Sequence, residues 1–141
     1  LADRKAKKSS RTGGTLETYI PEPGDFIFLD FQPQAGHEQA GRRPALVISP
    51  RIFNERTGFA IVCPVTNTIR GWPFEAPVSG KATISGVVLA DQVRSLDWRA
   101  RNARFHSKAP RDTFTRTLGL VKSIIDTTAS DAARQTGTEA S

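Results

Sequence analysis

From residue 19 onward the chain alternates short apolar runs with polar, turn-rich breaks. In Asp25-Phe-Ile-Phe-Leu-Asp-Phe31, the two-residue period of a strand puts Phe26, Phe28 and Asp30 on one side. Asp25, Ile27, Leu29 and Phe31 fall on the other, so both sides are largely apolar and this strand is expected well inside the fold. A polar stretch with two glycines, residues 32–42, reads as an exposed loop. A second strand is predicted at Pro44-Ala-Leu-Val-Ile-Ser-Pro50. A third follows at Phe59-Ala-Ile-Val-Cys-Pro-Val65, after a turn at Asn54-Glu-Arg-Thr-Gly58. Pro73 makes Trp72-Pro-Phe-Glu75 an edge position or a strand start. Residues 79–85 read as a flexible link, and Gly86-Val-Val-Leu-Ala90 as a short strand.

The period changes near the C-terminus. Phe114, Leu118, Val121 and Ile125, widened by Leu120 and Ile124, form one stripe of an amphipathic helix. Pro110 suits its first turn and Asp112 the positive end of its dipole, while Gly119 is expected to allow close approach to the sheet. The fold class predicted is mainly β, a small barrel of about five to seven strands with a C-terminal helix. Residues 1–18 are expected to be a disordered basic extension, 19–126 the domain, and 127–141 a flexible tail. No internal repeat is present.

Composition narrows the classes. A chain of 141 residues at 38% hydrophobic content is one domain with a real core. No run approaches the ~20 apolar residues of a membrane span, and the basic N-terminus lacks a signal peptide's apolar stretch. Leu1, in a chain without methionine, is read as an alternative start or a trimmed end. A single cysteine, Cys63, excludes an internal disulfide framework, and with two histidines no metal site or cofactor is expected. The chain therefore reads as a small, soluble, basic, cytoplasmic domain without a membrane partner.

Its net charge of +6 suggests a polyanionic partner, but half of the excess lies in residues 1–18. Between Arg94 and Arg111, six basic residues face only Asp97, which suits single-stranded nucleic acid. Trp98, among these arginines, is expected in the core.

The densest chemistry is Gly36-His-Glu-Gln-Ala-Gly-Arg-Arg-Pro44. Arg43 precedes a proline, which confines it to extended geometry at a strand end. A fixed guanidinium matches phosphate oxygens and keeps its charge. The alternative is a surface arginine paired with Glu38 or Asp30. Thr66 follows the third strand, where its hydroxyl either donates to a phosphoryl oxygen or closes a turn. Gln92 and Arg94 carry groups able to read base edges. Cys63 is expected to be an inert core thiol.

The stretch from Tyr19 to about Ile125 resembles the MazF/PemK family of toxin endoribonucleases, close to its MazF branch. The resemblance is carried by Tyr19-Ile-Pro-x-x-Gly-Asp25, Asp30-Phe-x-Pro33, Gly36-x-Glu-Gln-Ala-Gly-x-Arg-Pro-Ala45 and Ser49-Pro50. It continues through Asn54, Thr57-Gly58, Pro64-x-Thr66, Gly71-x-Pro-Phe-Glu75 and Gly86-Val-x-Leu-Ala-Asp-Gln-Val-x-Ser-x-x-Trp-Arg-Ala-Arg101. It implies an SH3-like barrel, a homodimer, and metal-independent cleavage of single-stranded mRNA at short motifs. It further implies a toxin held by a MazE-like antitoxin. Arg43 and Thr66 match the family's catalytic arginine and threonine, and Glu38, Gln39 and Gln92 match loop positions that frame the substrate. With His37, Arg70 and Arg94 as RNA contacts, and Glu38 added to the catalytic set, these complete the expected site.

Without a metal, the accessible chemistry is attack by the RNA's own 2′-hydroxyl, leaving a 2′,3′-cyclic phosphate and a 5′-hydroxyl. Arg43 fits stabilisation of the phosphorane, Thr66 a hydrogen bond to a non-bridging oxygen, and Glu38 or His37 the general base. Two alternatives are a non-nuclease SH3-like toxin that inhibits DNA gyrase by protein–protein binding, as the CcdB type does, and a non-catalytic RNA-binding barrel.

Overall fold

The computed structural model describes residues 19–31, 41–126 and 128. Among the described residues, seven antiparallel strands form one sheet: β1 (Asp25–Asp30), β2 (Arg42–Val47), β3 (Phe59–Thr66), β4 (Glu75–Pro77), β5 (Val87–Leu89), β6 (Arg94–Asp97) and β7 (Arg104–Lys108). Two helices accompany them, α1 (Arg51–Thr57) and α2 (Arg111–Ile125), with a 3-10 turn at Ala90–Gln92. The order is β4-β5-β3-β2-β1-β7, with β6 also pairing β3. The expectation of a mainly β fold closed by a C-terminal helix is met, with seven strands.

The two faces of β1, β2 and β3 bury separate apolar clusters. Phe26, Leu46, Cys63 and Val65 join Val88 and Val121 in one, while Ile27, Leu29, Ala45, Val47, Ala60 and Val62 join Leu96 and Trp98 in the other. Double-sided burial explains why β1 reads as apolar on both sides.

β3 is the strand on which the site depends. Its first half pairs β6, from Phe59↔Asp97 to Val62↔Arg94, and its end pairs β5 at Val65↔Val88 and Thr66↔Val87. Pro64 lies in the gap between them. The Ile61 amide donates to Ser49 Oγ and its carbonyl accepts from Ile48, so odd positions of β3 face β2. The nitrogen of Pro64 therefore faces the side where β6 has ended and β5 has not begun, and no ladder bond is lost.

Four expectations are corrected. Residues 51–57 are a helix, not a bare turn. Gly58, at φ 77°, ends it by donating to the Asn54 carbonyl. The fully buried Asn54 side chain ties this helix to Pro21 and Ser49, and its carbonyl accepts the Trp98 indole N–H at 2.9 Å. The basic segment after Gln92 contains β6 and β7, which the charge pattern concealed. The buried face of α2 is Thr113, Thr117 and Val121, whereas Ile124 and Ile125 are exposed. Both threonines bury their methyl groups because their hydroxyls are satisfied, Thr113 by the Pro77 carbonyl and Thr117 by the Thr113 carbonyl. Finally, Gly119 faces open space rather than the sheet.

The expected disorder of 1–18 and flexibility of 127–141 lie outside the described residues, apart from Thr128. Among the described residues, no helix is long and apolar enough to cross a membrane.

Candidate active site

The β1–β2 register separates the two adjacent arginines. Arg42 stands opposite Asp30 and Arg43 opposite Leu29, so they project to opposite faces. Arg42 is consumed by structure. It donates to Asp30 Oδ1 at 2.9 Å and to the carbonyls of Phe28 at 3.3 Å and Asn102 at 2.6 Å. Asn102, held at φ 56°, returns its amide to Asp30 Oδ2 at 3.0 Å. The Asn102 hydrogen bond, then that of Arg42, holds the Asp30 carboxyl below its ordinary range. With Asp30 committed to Arg42, it is not the partner of Arg43. The Arg43 side chain is exposed, with no ion-pair partner among the described residues.

Arg43 and Thr66 stand near the adjoining ends of β2 and β3. β2 and β3 pair at Ala45↔Pro64, Leu46↔Cys63 and Val47↔Val62. That ladder ends at Ala45↔Pro64, and Arg43 and Thr66 each lie two residues beyond it, one on each strand. Both follow the parity of Ala45, Val47 and Val62, so both leave the sheet on the same face. A cation and a hydroxyl are thus carried on the two strands just past the end of their shared ladder.

Thr66 is held closely. It pairs with Val87, and the backbone of Gly86 packs so near that a Cβ there would lie 2.1 Å from the Thr66 carbonyl oxygen. Thr66 Oγ1 accepts the Thr68 amide at 3.1 Å, which leaves the hydroxyl proton available to donate.

The remaining expected residues fall in three groups. Gln92 is exposed on the 3-10 turn that links β5 to β6, on the opposite flank of β3 from Arg43. Arg94 opens β6, and its guanidinium lies 5.4 Å from the Phe31 ring, joining that strand to the end of β1. Arg70 lies in the β3–β4 loop against Trp72, 5.4 Å from the ring centre. His37, Glu38 and Gln39 lie outside the described residues.

The cationic run from Arg94 to Arg111 does not act as one surface. Arg99 stacks on Trp98 at 4.4 Å, and Arg101 donates to the carbonyls of Asp30 and Phe31. Lys108 lies 2.5 Å from the buried carboxylate of Asp25. Trp98 is buried, as expected. Cys63 is buried too, and burial, then the charge of Asp91, pushes its thiol up to about 12. Sequence reasoning missed the Arg42–Asp30–Asn102 network. The one available signal was an opposite charge at each end of the β1–β2 loop. Among the described residues, no three metal-ligating side chains converge.

This small antiparallel domain matches solved MazF structures. The MazF crystal structure from Deinococcus radiodurans superposes with a TM-score of 0.70 at 48% identity, covering 77% of this chain and 99% of that one. A MazE–MazF crystal structure from the same organism gives 0.68 at 42% identity, over 77% and 97%. The endoribonuclease toxin MazF of Escherichia coli K12 is 51% identical over 88 residues, 62% of this chain and 78% of that protein. Residues 22–125 match the family of PemK-like, MazF-like toxins of type II toxin–antitoxin systems, and the chain belongs to that family.

Proposed function

We propose that this protein is the toxin of a type II toxin–antitoxin system and acts as an endoribonuclease on single-stranded mRNA in the cytoplasm. Family membership supports the activity, since the similar proteins from Escherichia coli are endoribonucleases. The observation that supports the site assignment is that Arg43 and Thr66 each lie two residues past the last β2–β3 pair, Ala45↔Pro64, on adjoining strand ends. The MazE–MazF structures support a MazE-like antitoxin as partner. A homodimer is part of the same reading.

The RNA 2′-oxygen attacks the adjacent phosphorus, and the bond to the 5′-oxygen of the next nucleotide breaks. The proton leaves the 2′-hydroxyl to a base and another is delivered to the departing oxygen. Arg43 stabilises the doubly charged phosphorane through paired N–H donors. Thr66 donates its free hydroxyl proton to a non-bridging oxygen. Glu38 or His37 serves as base, and Gln39, Arg70, Gln92 and Arg94 hold the strand on either side.

The test is incubation of the protein with a long unstructured RNA in EDTA, followed by mapping of the cut ends. Discrete cuts with 2′,3′-cyclic phosphate and 5′-hydroxyl termini are expected. Arg43→Ala should still bind RNA but cleave about 10²–10³-fold more slowly, the effect of losing one preorganised oxyanion donor. Intact RNA accompanied by gyrase inhibition would overturn the reading.

A further inference from the structure

Six residues beyond Thr66 the chain presents Trp72 with 53% of its surface in solvent. Indoles are mostly well buried, as Trp98 is, and an exposed one needs a reason. Arg70 lies against it, and no other residue between Thr66 and Glu75 carries a formal charge.

The loop bearing Trp72 is built rather than slack. The Glu75 side chain is buried beneath it and accepts the Gly71 amide at 2.9 Å and the Arg70 amide at 3.1 and 3.2 Å. The Glu75 amide donates to the Trp72 carbonyl at 3.1 Å, closing a turn around Pro73. Gly71, just before this turn, has φ 75°, the left-handed conformation that glycine adopts readily. The Phe74 carbonyl accepts the Ala90 amide at 3.0 Å, which joins the loop to the turn carrying Gln92. A buried carboxylate spent entirely on backbone amides therefore holds an exposed aromatic ring and one cation on the scaffold that carries Thr66 and Gln92.

We propose that Trp72, on the ring face away from the Arg70 guanidinium, is a stacking platform for one nucleobase of the substrate strand, with Arg70 neutralising the adjoining phosphate. The inference rests on the endoribonuclease reading above and adds a binding subsite to it. Six residues of chain span at most about 20 Å, so the stacked base lies within a few nucleotides of the scissile phosphate. The charge of the loop favours RNA over a protein partner that presents cations. An aromatic face with a cation and no exposed carboxylate suits a polyanion whose every unit has its own π face. Stacking selects base shape weakly, so this subsite adds affinity and fixes register rather than choosing the cleavage motif.

The experiment measures affinity for a fluorescent oligonucleotide containing the mapped cleavage motif. A single 2′-deoxy nucleotide replaces the attacking hydroxyl, so the strand binds without being cut. Trp72→Ala and Trp72→Leu, which keeps apolar bulk without a π face, should both weaken binding about 5- to 150-fold, the range for loss of one base–aromatic stack. Trp72→Phe should retain most of the affinity.

The oligonucleotide is then remade with one abasic position at a time. One such position should weaken wild-type binding by a similar factor and leave the Trp72→Ala affinity unchanged. Equal responses of wild type and variant at every abasic position would overturn the platform. So would a Trp72→Ala protein that binds RNA normally but binds a MazE-like antitoxin less tightly, which would make the loop a protein interface. A wild-type protein that neither binds nor cuts RNA sinks the endoribonuclease reading itself, and the platform with it.

Discussion

Gly86→Ala tests whether the end of β3 is held in place by the start of β5. Gly86 has φ 109°, a conformation that L side chains rarely adopt, and forcing alanine into it costs about 1–3 kcal/mol. The added Cβ would also lie 2.1 Å from the Thr66 carbonyl oxygen and 2.9 Å from its carbonyl carbon. Ordinary C···O approach is about 3.3 Å, so the strand end must retreat by roughly 1 Å. Overpacking of this kind costs a further ~1–3 kcal/mol. The total, about 2–6 kcal/mol, is a large share of the ~5–15 kcal/mol that typically holds a domain together.

The displaced backbone is that of Thr66, and a 1 Å misplacement at a reacting centre is worth about 10²-fold in rate. Urea unfolding of wild type and variant should show the stability loss. Single-turnover RNA cleavage, measured where both proteins are folded, should show the rate loss. Gly80→Ala is the control. Gly80 also has a positive φ, of 70°, but nothing lies within 4 Å of the Cβ it would gain. It should therefore lose stability through backbone strain alone, about 1–2 kcal/mol, with cleavage unchanged. A Gly86→Ala protein as stable and active as wild type would refute the reasoning.

Three further outcomes are expected. Gly119 is helical, exposed and free of neighbours, so Gly119→Ala should raise stability by about 0.5–1 kcal/mol, read as a higher denaturation midpoint. The Asp30 carboxyl is held low by Asn102 and Arg42, so its contribution to stability is complete above the ordinary carboxylate value. That contribution is lost as pH falls through the lower folded value, and Asp30→Asn should flatten the acid limb of a stability–pH curve. Cys63 is buried with its thiol pushed up to about 12, so a thiol reagent should label it at neutral pH only as fast as the protein unfolds. Rapid labelling of the native protein would contradict that burial.

What was legible in the sequence depended on whether the signal was local. The apolar runs of β1, β2 and β3 were legible because most of their apolar side chains are buried, so the pattern tracks the core directly. Proline at 44 fixed the geometry of Arg43 from one neighbour alone. The strands β6 and β7 carried no such signal, because Arg94 and Arg104 are exposed and Lys108 pairs the distant carboxylate of Asp25. α1 was hidden for a related reason. Its one buried residue is a polar asparagine, whose partners lie at Pro21, Ser49 and Trp98. The end of α2 was misread because periodicity shows which residues share a face, not how far the neighbouring sheet extends beneath it.

By itself the sequence determined the class of fold, the burial of Trp98 and Cys63, and the motif order that marks the family. Those properties follow from hydrophobic period, single-residue backbone restriction and residue identity along the chain. Only the tertiary structure decided which of two adjacent arginines is bound into the framework, since that choice rests on strand register against Asp30. It also brought the strands carrying Arg43 and Thr66 side by side, set Gly86 against the Thr66 backbone, and broke the cationic run into separate contacts. Each depends on residues far apart in sequence meeting across a ladder, and a one-residue change in register would reverse every one of those faces.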